Sequence, residues 1–295
     1  MKLVLPRIFR RADRKVKPAW QFKTTGDLWR ILFSDSGRVV GEDRDLAAKT
    51  VTFFCLDETT GEVIWSGIKL EEGWWIGMEA IFNRIVYLHE YVKPDLPQHQ
   101  KIIALDLPTG KLLWRNDELR FLSISEGRLY ASKDFFERRL YFELNLATGE
   151  VRREFTDEEG THLKRGEEDV ILRDIVFPSV FEVGAENYNR LAQVIRSHCD
   201  LRKVAGTIEF IQREDLLFFN YHERTALATA EAPFLKNYVK VVNTNRNRLI
   251  FSDVLNEKAH APTPDSFFLK GGQLFLIRNK NTLVAIRLEE LYQQA

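Results

Sequence analysis

Short apolar runs, punctuated by turn residues at regular intervals, organise this 295-residue chain. Three stretches align without gaps from strand through turn: FFCLDETTGEVIW (53–65), IIALDLPTGKLLW (102–114) and YFELNLATGEVRR (141–153). Their glycines, Gly61, Gly110 and Gly149, fall 49 and then 39 residues apart. In each, Asp57, Asp106 or Asn145 is placed to accept backbone amide hydrogen bonds in an Asx-turn, and the Gly supplies the positive φ of a tight hairpin. On either side, β-branched and aromatic residues alternate or run on, as strands buried on one or both faces do. Another apolar strand, opened by a tight-turn signal, precedes each stretch: SGRVV (36–40), NRIVYL (83–88) and EGRLYAS (126–132). The same element recurs as EDLLFFNY (214–221), NRLIFSD (247–253) and GQLFLI (272–277).

Repeated antiparallel meanders of about 40–50 residues predict an all-β fold, a β-propeller. Blades are expected over 28–66, 74–115 and 119–156, then an irregular one over 162–200. That irregular blade would combine DVILRDIVF and SVFEV with a short helix over ENYNRLAQVIRSH, where Tyr188, Leu191, Ile195 and His198 share one face. The helix is read as capping a degenerate blade rather than as a partner-binding element. A fifth blade takes TIEFIQ, LLFFNYH, NYVKVVN and RLIFSDVL, and a last one SFFLK, QLFLIRN and TLVAIRL. The expected count is about six four-stranded blades, with five or seven left open. The last blade lacks a strand, and VKPAWQFK (16–23) is expected to close it by pairing with TLVAIRL (282–288). The chain thus divides into a basic tail, 1–15, and a single propeller domain, 16–295.

LDETTGEVIW and LDLPTGKLLW resemble the repeats of the pyrroloquinoline-quinone-dehydrogenase-like propellers, a family that includes the outer-membrane assembly lipoproteins; the resemblance covers about 28–155. It implies that the repeat Trp packs between neighbouring blades. Trp65 and Trp114 occupy that position, Trp20 falls at its counterpart in 16–23, and Arg153 replaces it in the third repeat. The part from FPSVFEV to TLVAIRL resembles an uncharacterised bacterial propeller-like family, which implies no activity. Enzymes of the first family hold a quinone beside adjacent cysteines and a calcium ion. Here Cys55 and Cys199 lie 144 residues apart, and no acidic cluster has calcium-loop spacing. The PQQ-like repeats, similar in length to WD-like ones, are therefore read as architecture, and no cofactor or metal is assigned.

Composition narrows the classes further. Lys+Arg and Asp+Glu both number 43, so a chain built mainly to grip nucleic acid is disfavoured. The two cysteines read as ordinary buried thiols. No apolar run approaches the roughly 20 residues of a membrane span, and Pro6 with Arg7, Arg10 and Arg11 breaks any leader-like stretch, so a cytoplasmic location is expected. Residues 1–17 carry seven basic groups against one Asp. A tether to acidic lipid or nucleic acid is one reading of that run; a solvated tail is preferred.

Phosphate-cradling Gly loops, nucleophile elbows and paired metal-ligand motifs are all missing from the sequence. What remains is a ring of polar strand ends. The turns within blades are tight at one end, while the other end carries EDRDLAAK (42–49), EYVKPDLPQHQ (90–100), 223–236 and NEKAHAPTPD (256–265). Loops free of scaffold duties are where binding residues usually sit. The weak binding set is His89, Glu90, Asp134, His222 and Glu223; no catalytic residue is assigned. The function expected is a non-catalytic cytoplasmic module, a monomer, binding another protein or a small ligand at the long-loop face. The alternative is a metal-assisted hydrolase or lyase using His89 and His222 with Glu90, Glu223 or Asp134.

Overall fold

The computed structural model describes residues 16–92, 97–136, 138–156, 174–182, 188–225 and 234–295. The basic tail and residues 162–173 and 183–187 of the irregular blade lie outside them. Among the described residues, five antiparallel sheets of four or five strands form the blades of a β-propeller. The chain groups into two compact units.

The first unit holds three four-stranded meanders. They are β2 (Asp27–Phe33), β3 (Arg38–Asp45), β4 (Thr50–Asp57) and β5 (Val63–Ile68); β6 (Ile76–Phe82), β7 (Ile85–Tyr91), β8 (His99–Asp106) and β9 (Leu112–Asn116); and β10 (Arg120–Ser125), β11 (Arg128–Asp134), β12 (Arg139–Leu144) and β13 (Val151–Phe155). The expected alignment of the three repeats holds residue by residue. Cys55 faces Trp65, Ala104 faces Trp114 and Glu143 faces Arg153, and each third-to-fourth-strand pairing slips at the next residue. The turns behave as their chemistry requires. Asp57 Oδ1 accepts from the Thr59 and Thr60 amides at 3.0 Å, and Asn145 Oδ1 from the Ala147 amide at 2.9 Å. Gly61, Gly110 and Gly149 follow with φ between 67° and 71°.

These turns also join one sheet to the next. Trp65 Nε1 donates to the Leu107 carbonyl at 2.7 Å, and Trp114 Nε1 to the Leu146 carbonyl at 2.9 Å. Each indole lies so close to the following repeat's Gly that a Cβ on Gly149 would sit 2.5 Å from Trp114. Arg153, at the third position, is exposed and stacks its guanidinium 4.4 Å from the Phe155 ring centroid.

The second unit holds two five-stranded sheets. One contains β15 (Ser179–Val180), β16 (Val204–Arg213), β17 (Leu216–Arg224), β18 (Leu235–Asn243) and β19 (Arg248–Ala259). The other runs β1 (Trp20–Lys23), β22 (Thr282–Arg287), β21 (Gln273–Arg278), β20 (Phe267–Lys270) and β14 (Ile175–Val176). The N-terminal strand therefore closes the last sheet as expected, with the Ala19 amide donating to the Ala285 carbonyl at 2.7 Å. Trp20 is buried edge-on to Phe275.

The irregular fourth blade is where the sequence reading and the structure part. Its described strands, β14 and β15, add to the edges of the two other sheets. Among the described residues five sheets result, the lower end of the expected range. Helix α1 (Tyr188–His198) forms where expected and buries Leu191, Val194 and Ile195 against Leu217, Phe219 and Tyr221. Each such side chain contributes about 1.5–3 kcal/mol. A second helix, α2 (Leu288–Gln294), was not anticipated; it buries Leu288 and Leu291.

Candidate functional site

Strand identity decides which of the expected residues can meet. Counted from the opening turn, the second strands read RVVGE, IVYLH and RLYAS in the first unit and LLFFN in the second. Their pairing with the third strands puts Arg38, Ile85 and Leu216 opposite Asp57, Asp106 and Asn243, and Leu129 opposite Leu144, one residue before the turn Asn145. The fifth residue is polar in all four, and all four are fully buried: Glu42, His89, Ser132 and Asn220. The seventh residues, on the same strand face, are Arg44, Tyr91, Asp134 and His222. Glu90 and Glu223, at even positions, point to the opposite face.

His89 and Glu90 therefore do not converge. Glu90 is held by Lys101 Nζ at 2.7 Å and Arg115 Nη2 at 3.2 Å. Asp134 is occupied by ion pairs with Arg120 and Arg139. In the second unit, His222 Nε2 accepts from the Thr263 amide at 3.1 Å, and burial pushes its pKa down. Glu223 pairs across the sheet with Lys236 and Val204. The second unit has its own buried polar chain, in which Asn220 donates to Asn237 at 2.5 Å and Asn237 to Ser266 at 3.0 Å.

His89 stands apart. Its ring is entirely buried, and Nε2 has no hydrogen-bond partner. Its Nδ1 lies 3.1 Å from Glu79 Oε1. The same oxygen is 2.5 Å from His99 Nδ1. The two imidazoles stack with centroids 3.5 Å apart and planes 6° from parallel. Tyr91 stands edge-on to both.

Two local irregularities assemble this group. Glu79 is the extra residue of a bulge between Met78 and Ala80 in the pairing of β6 with β7, and bulges re-aim side chains. A second bulge sits opposite His89, where Lys101 takes φ 62° and the register slips between Leu88 and Glu90. Gly77 faces His89 across the ladder, and a Cβ there would meet His89 Nε2 at 3.1 Å.

A second layer surrounds the cluster. Glu42 Oε2 accepts from Arg44 Nε at 2.9 Å and Nη2 at 2.8 Å, and Glu42 Oε1 from the Met78 amide at 2.7 Å. Arg44 also donates to the Trp74 and Ile76 carbonyls, with its guanidinium between the Trp29 and Trp74 rings. Arg30 donates to the Met78 carbonyl at 2.8 Å. Burial would raise the Glu79 carboxyl, but hydrogen bonds and charge from His89 and His99 bring its pKa to about 2. His89 is lowered, burial outweighing the pull of Glu79. A fixed carboxylate beside two nitrogen donors is suited to hold a cation, and among the described residues Glu79, His89 and His99 are the group with donor atoms gathered for one.

Of this cluster only His89 was expected. Glu42, Arg44, Glu79, Tyr91 and His99 were missed. The fifth-position column was legible in the sequence as a polar residue ending each apolar run; the bulge that swings Glu79 inward was not.

Comparison with known proteins adds little beyond this. A family described as Domain of unknown function (DUF4905) matches residues 33–114. No curated protein matches the chain. Among solved structures, BamB from Moraxella catarrhalis aligns at 10% identity over 93% of this chain and 89% of its own, with a TM-score of 0.28. The β-propeller domain of the Trilobed protease from Pyrococcus furiosus aligns at 11% identity over 89% and 71%, TM-score 0.29, and the Dos1 propeller at 11% over 88% and 68%, TM-score 0.31. At such low scores the fold rests on the strand pairing alone.

Proposed function

We propose that this chain is a non-catalytic binding module whose ligand-contacting site is the Glu42–Arg44–Glu79–His89–His99 cluster, at the end of the sheets opposite the tight turns. The observation that carries this reading is His89, a wholly buried imidazole whose Nε2 has no hydrogen-bond partner and whose Nδ1 meets only Glu79, because buried polar groups are otherwise almost always satisfied. Three of the residues that a hydrolase or lyase would use are engaged elsewhere: Glu90 and Asp134 in ion pairs, His222 by a backbone amide. Trp29, 60% exposed beside Arg44, gives the site an accessible aromatic edge. The two buried, unpaired thiols suit a cytoplasmic setting, where the ligand would be another protein or a small molecule.

The test is affinity capture with the full chain, read by mass spectrometry, using two variants of matched exposure. Trp29→Ala should lose the partner, whereas Leu112→Ala, on the outer strand β9, should retain it. Loss with Leu112→Ala alone would place the site elsewhere.

A further inference from the structure

We propose that Glu79, His89 and His99 bind a divalent transition-metal ion of the zinc class, through Glu79 Oε1 and the Nδ1 atoms of both histidines. The inference deepens the binding-site reading above and rests on it.

The donor set comes first. Two imidazoles and one carboxylate are the ligands zinc takes when it keeps a fourth position open, at about 2.0–2.2 Å from each donor. Donors sharing one such ion lie roughly 3–3.5 Å apart. Here both Nδ1 atoms already lie 3.1 and 2.5 Å from one oxygen, and all three donors fit within 4.8 Å. A hard, oxygen-seeking ion such as calcium is poorly served by two nitrogens.

The second observation is the poor satisfaction of His89. Its fully buried ring has no partner at Nε2 and only a poorly directed approach to Glu79 at Nδ1, and coordination would replace that approach with a directed bond. Charge favours the same outcome. Arg44, a buried cation beside the cluster, is already paired with Glu42. Arg30 is occupied by the Met78 and Glu79 carbonyls.

The stacked rings identify the part that moves. Both Nδ1 atoms face the Glu79 carboxylate oxygen, which only accepts, so each gives up its Nδ1 proton when an ion binds, and because the rings are parallel one must turn for both nitrogens to share it. His89 is enclosed, whereas the His99 side chain is 35% exposed and starts β8 beside a bulge. His99 therefore rotates out of the stack and onto the metal, leaving the fourth position to water. Tyr91, in edge contact with both rings, senses that rotation.

The experiment uses the full chain, stripped with chelator and titrated calorimetrically with zinc chloride alone. One zinc per chain should bind, with a change in the near-ultraviolet tyrosine signal and a rise in melting temperature. Glu79→Gln and His99→Gln should each weaken binding by more than about tenfold, while His198→Gln and His222→Gln should leave it unchanged. His99→Gln, on a part-exposed residue, keeps the test valid if substitutions at buried His89 impair folding. Non-saturable uptake, or equal affinity in wild type and His99→Gln, would overturn the proposal. Because the chain is assayed without any partner, failure here is distinct from failure of the capture experiment with Trp29→Ala.

Discussion

Trp114 donates its indole N–H to the carbonyl of Leu146, 32 residues on, and lies against Gly149 in the same turn. Trp65 does the same to Leu107 and Gly110 one repeat earlier. One side chain thus fills the space between two sheets and satisfies a backbone carbonyl of the second.

Removing either indole should therefore be costly. Trp65→Ala and Trp114→Ala are each expected to destabilise the protein by about 3–5 kcal/mol. Trp65→Phe, which keeps most of the volume but loses the hydrogen bond, should cost about 1–3 kcal/mol, the cost of an unsatisfied carbonyl; Trp114→Phe should cost less, because the Tyr87 hydroxyl still donates to the Leu146 carbonyl at 3.2 Å. Arg153→Ala should cost well under half as much as the tryptophan truncations, because the side chain is exposed. Urea unfolding of the set decides the matter; equal losses at all three positions would show that Arg153 is equivalent to the tryptophans in packing as well as in register.

The turn glycines separate backbone strain from packing. Gly37 and Gly149 share φ 71°, yet a Cβ on Gly37 would meet nothing within 4 Å. Gly37→Ala should cost only the left-handed penalty of about 1–2 kcal/mol. Gly149→Ala must also displace Trp114 and should cost at least about 1 kcal/mol more.

Closure by β1 is tested by truncation. A chain starting at residue 16 keeps the strand that pairs with β22 and should melt cooperatively. A chain starting at residue 25 leaves β22 as an open, apolar edge and should aggregate. A soluble, cooperatively melting 25–295 would show that the pairing is dispensable.

Acid should destabilise the fold in two stages. His89 and His222 both have folded-state pKa values lowered by burial. The unfolded chain then takes up protons that the folded chain refuses, so stability present above about pH 6.5 declines as pH falls through that value. Glu79, lowered from 4.5 to about 2, adds a further loss below about pH 4.5. Melting curves of wild type and His89→Phe between pH 8 and about pH 5 should show a shallower decline in the variant. An identical slope would mean that His89 does not remain neutral.

The strands and three of the sheets were legible because the Asx–Gly turn is local chemistry, repeated at Asp57, Asp106 and Asn145. The edge strands β14 and β15 were not legible as such. Two-residue strands carry too little periodicity to say which sheet they join, and 175–180 reads equally well as part of a blade of its own. The site was half visible. His89 was found because it ends an apolar run, but Glu90 beside it was carried along although period-two geometry sends it to the other face. Glu79 and His99 depend on register slips, which arise from pairing between distant segments and leave no trace in either segment alone.

The fifth position of the second strand is a backbone address more general than its occupant. Glu, His, Ser and Asn stand there in four sheets, each buried by the same scaffold. A polar side chain at this address need not be paid for anew in each repeat, since the surrounding strands already exclude water there. Exchange of one residue can thus change the chemistry a blade offers without redesigning the blade, which gives a duplicated meander an inexpensive path to diverge.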